Sequence, residues 1–124
     1  MTITFTVPIE PMGAPRMTRA DSWKKRPVVL RYRAYKDVIR HHCRGVTELP
    51  VTVKIDAYFP MPKSWSRKQR AQMDGRLHRV KPDWDNVGKG VCDAIWENDS
   101  VIHGGCVFKW YTLGQPRLVI EVSE

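Results

Sequence analysis

Carboxylates are concentrated in one short segment of an otherwise basic chain. The segment KPDWDNVGKGVCDAIWENDS, residues 81–100, holds five of the thirteen acidic residues in a protein whose formal net charge is +8. Asp83 and Asp85 lie two residues apart. Lys89 follows four residues after Asp85, and Asp99 comes near the end of the segment. Because neighbouring carboxylates repel each other unless a cation lies between them, this pattern raises the question of a metal site.

The same segment has the apolar spacing of a helix. One hydrophobic stripe recurs at helical intervals and consists of Val87, Val91, Ala94 and Ile95. Pro82 favours an extended backbone before the helix, and Asp83 or Asp85 can serve as the N-cap. If the entry is extended, these two carboxylates project to the same side, with Lys89 one turn further along that face and Asp93 beyond it.

Carboxylates that converge in this way suit a hard cation. Mg²⁺ typically uses one or two carboxylates together with waters and phosphate oxygens, and Mn²⁺ is a possible substitute. Such an ion would bind a phosphate, supply a hydroxide nucleophile and stabilise the leaving oxygen. Lys89 could neutralise charge on the phosphoryl oxygens or orient the attacking water. The pattern therefore indicates phosphodiester hydrolysis.

A plainer interpretation of these residues needs no metal. An Asp-x-Asp pair at a helix start commonly caps the helix and interacts favourably with its dipole. Lys89 would then be the i, i+4 ion-pair partner of Asp85. Both interpretations remain open at the level of the motif alone.

Basic side chains flank the acidic segment. Residues 16–44 hold ten of the 21 basic residues against two acids, and residues 63–81 hold seven against one. Trp23 and Trp65 lie within these basic stretches, as in surfaces that bind phosphates and stack on exposed bases, although a tryptophan can equally pack in a core or an interface. The side chains that we expect to contact a DNA backbone are Arg16, Arg19, Lys24, Lys25, Lys63, Arg67, Lys68 and Arg70.

Length and composition predict one folded domain over residues 1–124. The hydrophobic content of 42% is ordinary for a chain with a packed core. The positive charge favours a polyanionic partner, with nucleic acid ahead of a membrane surface. No apolar run approaches the length of about 18 residues that spans a membrane, and the N-terminus lacks the charged start of a signal peptide.

The three cysteines do not form a disulfide or zinc pattern. Cys43, Cys92 and Cys106 are an odd number without close pairing, which favours a reducing, cytoplasmic environment in which the protein associates with the nucleoid when bound to DNA. Cys43 and Cys106 have histidine neighbours but no second ligand at zinc-finger spacing. Buried structural thiols are therefore the expectation for both.

The order of predicted elements indicates an α+β fold. Alternation predicts strands over residues 2–7 and 51–59, each closed by a proline, and helical spacing from about Leu30 to Gly45 predicts the first helix. A basic connector follows over residues 61–82, with a short helix from Ser66 to Met73. Cys106–Leu113 and Arg117–Val122, around a Gly-Gln-Pro turn, suggest a terminal hairpin. The expected architecture is one mixed β-sheet with two main helices, in the order β-α-β-α-β-β.

Several segments of the chain resemble those of a known family. KPDWDNVGKGVCDAIWENDSVI is similar to the signature of RusA-type Holliday-junction resolvases, K-x-D-x-D-N-x-x-K-x-x-x-D-A-L followed by D-D-x-x-V. PIEPMGAPRMTR resembles the proline- and arginine-rich first loop of that family, RYRAYKDVIR its first helix and FPMPKSWSRKQR its basic connector. The resemblance covers nearly the whole chain.

The resemblance implies a RusA-like fold and a homodimeric, Mg²⁺-dependent endonuclease that cuts four-way DNA junctions by paired nicks. By position, it assigns metal binding to three aspartates and catalysis to these together with one lysine, and these residues are Asp83, Asp85, Asp99 and Lys89. It gives supporting roles to two further residues, Asn86 at the helix start and Asp93, which would orient Lys89 or a metal-bound water.

Three features depart from the family pattern. Asn98 stands where the first Asp of the D-D pair is usual, and Val101 comes one place early. Gly88 and Gly90 replace helix formers, at a cost of about 1 kcal/mol each relative to alanine in a helix interior. The glycines either admit a second backbone or a ligand, or they reflect an irregular first turn.

We therefore expect an endodeoxyribonuclease that resolves four-way junctions in recombination and repair. One alternative is a nuclease that acts on flaps, forks or RNA. A second is a basic DNA-binding module in which the carboxylates are only structural. A third, with the least support, is an interaction domain with a Ca²⁺-stabilised acidic loop.

Overall fold

Alternating and helical apolar patterns build four strands and three helices in the described part of the chain. The computed structural model describes residues 1–22, 26–46 and 49–124. The regular elements in chain order are β1 (Thr2–Val7), α1 (Pro27–His42), β2 (Val51–Phe59), α2 (Arg67–Met73), α3 (Trp84–Ile95), β3 (Ile102–Tyr111) and β4 (Arg117–Ser123). Short 3₁₀ turns at Arg19–Ser22 and Asp99–Val101 precede α1 and β3.

The strands form one mixed sheet in the order β1-β4-β2-β3. β4 pairs antiparallel with both β1 and β2, whereas β3 pairs parallel with β2. Alternate residues of the central strand β2 are buried, and they are Val51, Val53, Ile55, Ala57 and Phe59. The expected α+β fold with a mixed sheet and helices is thereby confirmed.

The predicted terminal hairpin is wrong, because β2 lies between β3 and β4. The chain leaves β3 and crosses the end of β2, where the amide of Thr112 donates to the carbonyl of Phe59 at 2.9 Å. It then enters β4, whose inward residues Leu118 and Ile120 are fully buried. Two strand spacings, about 10 Å, are short enough for residues 112–116 to span. A central position gives β4 hydrogen-bonded neighbours on both sides, which a terminal hairpin at the sheet edge would not.

The helices agree with their patterns except at one boundary. α1 begins at Pro27 rather than near Leu30, because proline suits the first helical position, where its missing N–H costs nothing. Gly45, with φ of 83°, follows the end of α1. The short α2 occurs as expected, and the Ser66 hydroxyl caps it by accepting from the amide of Gln69 at 3.1 Å.

α1 and α3 cover one face of the sheet. Tyr32 and Ile39 of α1 and Val87 and Val91 of α3 are buried and belong to the same core cluster as the inward residues of the strands. The predicted apolar stripe of α3 is confirmed for Val87, Val91 and Ala94, whereas Ile95 is only partly buried.

The cysteines are free thiols in three different environments. Cys43 is buried, as expected, and burial raises the pKa of its thiol to about 12. Cys106 is exposed, contrary to expectation. It lies opposite Lys54 in the register of β2 and β3, and its side chain therefore points to the outward face of the sheet. Among the described residues, no helix combines the length and the apolar character needed to cross a membrane.

The contact between β2 and β3 depends on one glycine. A Cβ atom at Gly105 would overlap the backbone carbonyl of Val53, whereas at Gly104 its nearest neighbour would be a Thr52 methyl group at 3.8 Å. We expect Gly105→Ala to lower the free energy of unfolding by about 2 kcal/mol or more, as overpacking does. Gly104→Ala is the matched control and should leave stability unchanged or slightly higher. Urea denaturation measures both, and equal effects would contradict this account.

Candidate active site

An open cleft of about 640 Å³ lies where α3 begins and β3 ends. Two peptide segments form its walls: the loop over residues 78–82 and the first turn of α3. The loop is tied to β3, because the amide of His78 donates to the carbonyl of Lys109 at 3.1 Å. The charged side chains that line the cleft are Arg79, Lys81, Asp83, Asp85 and Lys109.

Asp83 and Asp85 both line this cleft, as the helix-start interpretation predicts. Asp83 is the N-cap residue with an extended backbone, yet its carboxylate makes no capping hydrogen bond and instead accepts from the Lys81 ammonium at 2.9 Å. Asp85 lies in the first turn, and one of its oxygens accepts from the amide of Asn86 at 3.0 Å. Both are exposed. Capping therefore does not account for the carboxylate of Asp83.

Lys89 is held by Asp93 rather than by Asp85. Its ammonium lies 3.2 Å from a carboxylate oxygen of Asp93, one turn further along α3. The Tyr32 hydroxyl of α1 donates to the same oxygen at 3.5 Å. Burial, together with the charge of Asp93 and this hydrogen bond, raises the pKa of Tyr32 to about 12. Asp93 thus joins Lys89 to the neighbouring helix, an arrangement that suits the orienting role expected of it.

Asp99 lies at the other end of α3 from Asp83 and Asp85. The twelve residues of the helix span about 18 Å, and Asp99 follows its C-terminal end in a 3₁₀ turn. Burial raises the pKa of the Cys92 thiol to about 11, and the charges of Asp93 and Asp99 contribute to this shift. Among residues 1–22, 26–46 and 49–124, no three His, Cys, Asp or Glu side chains gather where they could hold a metal. One chain therefore brings Asp83 and Asp85 together and leaves Asp99 apart.

The departure at Asn98 has a local structural explanation. Its side-chain oxygen accepts from the amide of Ser100 at 3.1 Å and caps the 3₁₀ turn that carries Asp99. An amide performs this task as well as a carboxylate does.

The first loop packs against the start of α3. The amide of Ala14 donates to the carbonyl of Asn86 at 3.1 Å, so the backbone of Asn86 helps to fix the helix start while its side chain remains exposed. At Gly90, an added Cβ would contact the Tyr32 ring at 3.5 Å and the backbone of the first loop. At Gly88 it would lie 3.0 Å from a Val107 methyl group. Both glycines therefore face protein, which favours close packing over a ligand as their role.

The basic connector lies at the cleft end of the sheet. α2 follows the end of β2, and the chain after α2 pairs with β3, where the amide of Gly75 donates to the carbonyl of Tyr111 at 2.9 Å. Three of the DNA-contact candidates here are exposed, namely Lys63, Arg67 and Lys68. Arg70 instead donates to the carbonyls of Trp65 and Pro62, at 3.2 and 3.1 Å, which indicates a structural task.

The remaining DNA-contact candidates belong to the first loop and its continuation. Arg16 and Arg19 are exposed and follow the loop residues that touch α3. Lys24 and Lys25, with the neighbouring Trp23, lie outside the described residues. Trp65 is half-buried with its ring 5.0 Å from that of Tyr111, so it packs in part against the protein.

Three residues that line the cleft were not predicted from the sequence. Trp84, between the two aspartates, is 60% exposed. Lys109 occupies an inward position of β3 between Val107 and Tyr111, and its ammonium donates to the carbonyls of Val80 and Pro82. A charge at an inward position of an alternating strand was the available signal for Lys109.

The third is His78, which is buried beneath the cleft with its ring stacked 4.0 Å from that of Phe59. Burial, with the positive charge of Lys109, lowers the pKa of His78 to about 4. The imidazole is therefore neutral at neutral pH.

The cleft residues fit a hard divalent cation. Asp83 and Asp85 supply exposed carboxylate oxygens on one wall, which matches the one or two carboxylates that Mg²⁺ usually takes from a protein. Thiolates and imidazoles, the preferred ligands of softer metals, are not available there, since the cleft's one imidazole, His78, is buried.

The buried His78 should make stability depend on pH. Since its folded pKa lies below the unfolded value of about 6.5, only the unfolded chain binds the proton between these values, and stability falls as the pH drops from about 6.5 to 4. We expect this group to account for about 1–3 kcal/mol of the loss. His78→Phe should reduce the loss in urea denaturation measured across this range. The control His41→Gln removes an exposed imidazole of α1 and should retain the wild-type dependence.

Comparison with known proteins adds a family match to this geometry. Residues 8–123 match the family described as Endodeoxyribonuclease RusA. The chain is also 31% identical over 137 residues to an uncharacterized protein of Bacillus subtilis (strain 168), YqaN, in an alignment that covers 98% of this chain and 96% of the relative.

Proposed function

Since the chain belongs to the RusA family of endodeoxyribonucleases, we propose that it is a Mg²⁺-dependent nuclease that resolves four-way DNA junctions in recombination or repair. The observation that carries the metal dependence is the shared cleft of Asp83 and Asp85, in which the N-cap carboxylate is not used for capping. We expect the protein to act in the cytoplasm on nucleoid DNA.

Asp83 and Asp85 would hold the cation, either Mg²⁺ or Mn²⁺ in its place. When bound, the ion supplies charge to polarise a phosphodiester and to activate a water. The two aspartates are exposed, so they can take an ion from solution without losing buried interactions. Lys81 is the cation that the ion would displace, because it already pairs with Asp83.

Lys89 would act on the scissile phosphate. Its side chain is 64% exposed and follows Asp85 by one turn of α3, so the ammonium can reach an anion that lies over the first turns of the helix. Asp93 limits its movement through the 3.2 Å ion pair. A lysine held in this way can stabilise negative charge that develops on the phosphoryl oxygens.

The DNA backbone would approach across the basic side chains at this end of the sheet. The exposed cations that could contact it are Lys63, Arg67 and Lys68 of the connector and Arg16 and Arg19 of the first loop. Such contacts position a nucleic acid without reading its sequence. The preference for branched DNA is the property that the family match supports.

A homodimer would reconcile Asp99 with the other two carboxylates. Because Asp99 follows the C-terminal end of α3, a helix about 18 Å long whose other end adjoins the cleft, a site that used all three aspartates would take Asp99 from a second chain. A two-fold axis would create two such sites, and a four-way junction has approximate two-fold symmetry. Two sites in one dimer would account for paired nicks.

The first test is cleavage of a synthetic four-way junction, with duplex, flap, fork, single-stranded DNA and RNA substrates for comparison. The wild type should cut the junction only with Mg²⁺ or Mn²⁺. Lys89→Ala should lower cleavage about 100-fold or more while junction binding is retained, because it removes charge stabilisation in the transition state. Asp83→Asn should abolish cleavage.

The control for Lys89→Ala is Lys54→Ala, which removes a partly exposed cation from the outward face of the sheet. It should cut at the wild-type rate. Loss of junction binding by Lys89→Ala would contradict a transition-state role, and undiminished cutting by Asp83→Asn would contradict the metal assignment. A preference for flaps or forks over the four-way junction would assign the cleft to a different branched substrate.

The second test asks whether Asp99 acts across the dimer. Asp85→Asn and Asp99→Asn are each expected to be inactive alone. When they are co-expressed, about half of the dimers should be mixed, and each mixed dimer should contain one intact site if Asp99 comes from the partner. Restored single nicking of the junction is the expected result. Continued inactivity of purified mixed dimers would place Asp99 in the same site as its own Asp85, and cutting by Asp99→Asn alone would place Asp99 outside the site.

A further inference from the structure

We propose that Lys109 is a positioning residue that holds the cleft loop against β3 and thereby keeps Asp83 in place for the metal. This inference rests on the proposed function, because it concerns the same carboxylate. Lys109 is separated from Asp83 by 26 positions in the sequence, and no feature of the aspartate motif points to it.

The contacts of Lys109 converge on the residues just before Asp83. Its ammonium donates to the carbonyl of Val80 at 2.6 Å and to the carbonyl of Pro82, and the second of these belongs to the peptide group that joins Pro82 to Asp83. Its own carbonyl accepts from the amide of His78. Side chain and backbone of one residue thus fix both ends of the loop over residues 78–82.

Lys109 lies in a partly buried position, where the loss of its hydrogen bonds to the loop would be unfavourable. Lys109 points inward from β3, with Val107 and Tyr111 on the same side, and only part of the residue reaches solvent. Backbone carbonyls in such a place need a donor, and an ammonium offers three. Burial lowers the pKa of Lys109, and the nearby charge of Asp83 opposes that shift, which agrees with an ammonium placed between the loop and the carboxylate.

Lys81 provides a natural comparison. It also carries a positive charge beside Asp83, at 2.9 Å from a carboxylate oxygen, but its side chain is 84% exposed and bonds the carboxylate directly. Removal of either lysine takes one positive charge from the neighbourhood of the metal. Electrostatics alone therefore predicts tighter cation binding by both variants, since a like charge is lost. A positioning role predicts weaker cation binding, and it predicts this for the Lys109 variant alone.

The experiment measures Mn²⁺ binding by calorimetry on metal-free wild type, Lys109→Met and Lys81→Met. We expect Lys81→Met to bind Mn²⁺ as tightly as the wild type or more tightly. Lys109→Met should bind about tenfold more weakly, as is usual when a group that orients a metal ligand is lost. Binding by Lys109→Met that equals or exceeds that of the wild type would overturn the positioning role while leaving the metal site intact. Failure of the wild type itself to bind Mn²⁺ would overturn the proposed function and this inference with it.

Hydrogen exchange supplies a readout that does not involve metal. The amide of Val87, which donates to the carbonyl of Asp83 at 3.1 Å, should exchange faster in Lys109→Met than in Lys81→Met, because only the first variant releases the residues before Asp83 from β3. Equal exchange in the two variants would count against the inference. If Lys109→Met does not fold, Lys109→Gln and Lys81→Gln form the second pair, with the same expected difference in Mn²⁺ affinity and the same contradicting result.

Discussion

Helix α3 packs its apolar stripe against the sheet, and the placement of both carboxylates in the cleft depends on that contact. Val87 and Val91 are fully buried, so rotation of the helix about its axis would expose them to water. With each worth about 1.5–3 kcal/mol of burial, the helix has one favourable orientation. That orientation directs Asp83 and Asp85 into the cleft and leaves Lys89 on the solvent side. An apolar interaction thereby fixes the geometry of a charged site that would otherwise be driven apart by repulsion.

Two further contacts tie the ends of α3 to the rest of the protein. At its start, the first loop donates to the carbonyl of Asn86, and Gly90 admits the same loop beside the ring of Tyr32. Towards its end, Asp93 bonds Tyr32 and pairs with Lys89. Tyr32 therefore touches the helix at both places. Lys89 is connected to α1 through Asp93 and the hydroxyl of Tyr32, and Arg40 of α1 also donates to the carbonyl of Ala94 at 3.1 Å.

Local sequence patterns predicted the helices and strands well. They failed for strand pairing and for the composition of the cleft, which depend on residues far apart in the sequence. The alternation of Val51 to Phe59 and the stripe of α3 can be read from neighbours, because burial is periodic. The partner of a strand is not a local property. The turn before Arg117 suggested a hairpin between β3 and β4, whereas β2 lies between these two strands. The same limit applies to the site. Asp83 and Asp85 adjoin in sequence and share the cleft, but Lys109 reaches it only through the fold, and the length of α3 keeps Asp99 away.

The position of β4 has a consequence for how the molecule forms. β4 is the last strand along the chain but lies between β1 and β2, and it is the only hydrogen-bonded neighbour of β1 among the described strands. β1 therefore has nothing to pair with until residues 117–123 are in place, and the sheet closes through contacts of high sequence separation, which slow folding. During synthesis, a nascent chain that has already made α3 and β3 would still carry an unpaired edge on β2. The sheet that supports the cleft is therefore complete only after β4 has inserted between β1 and β2.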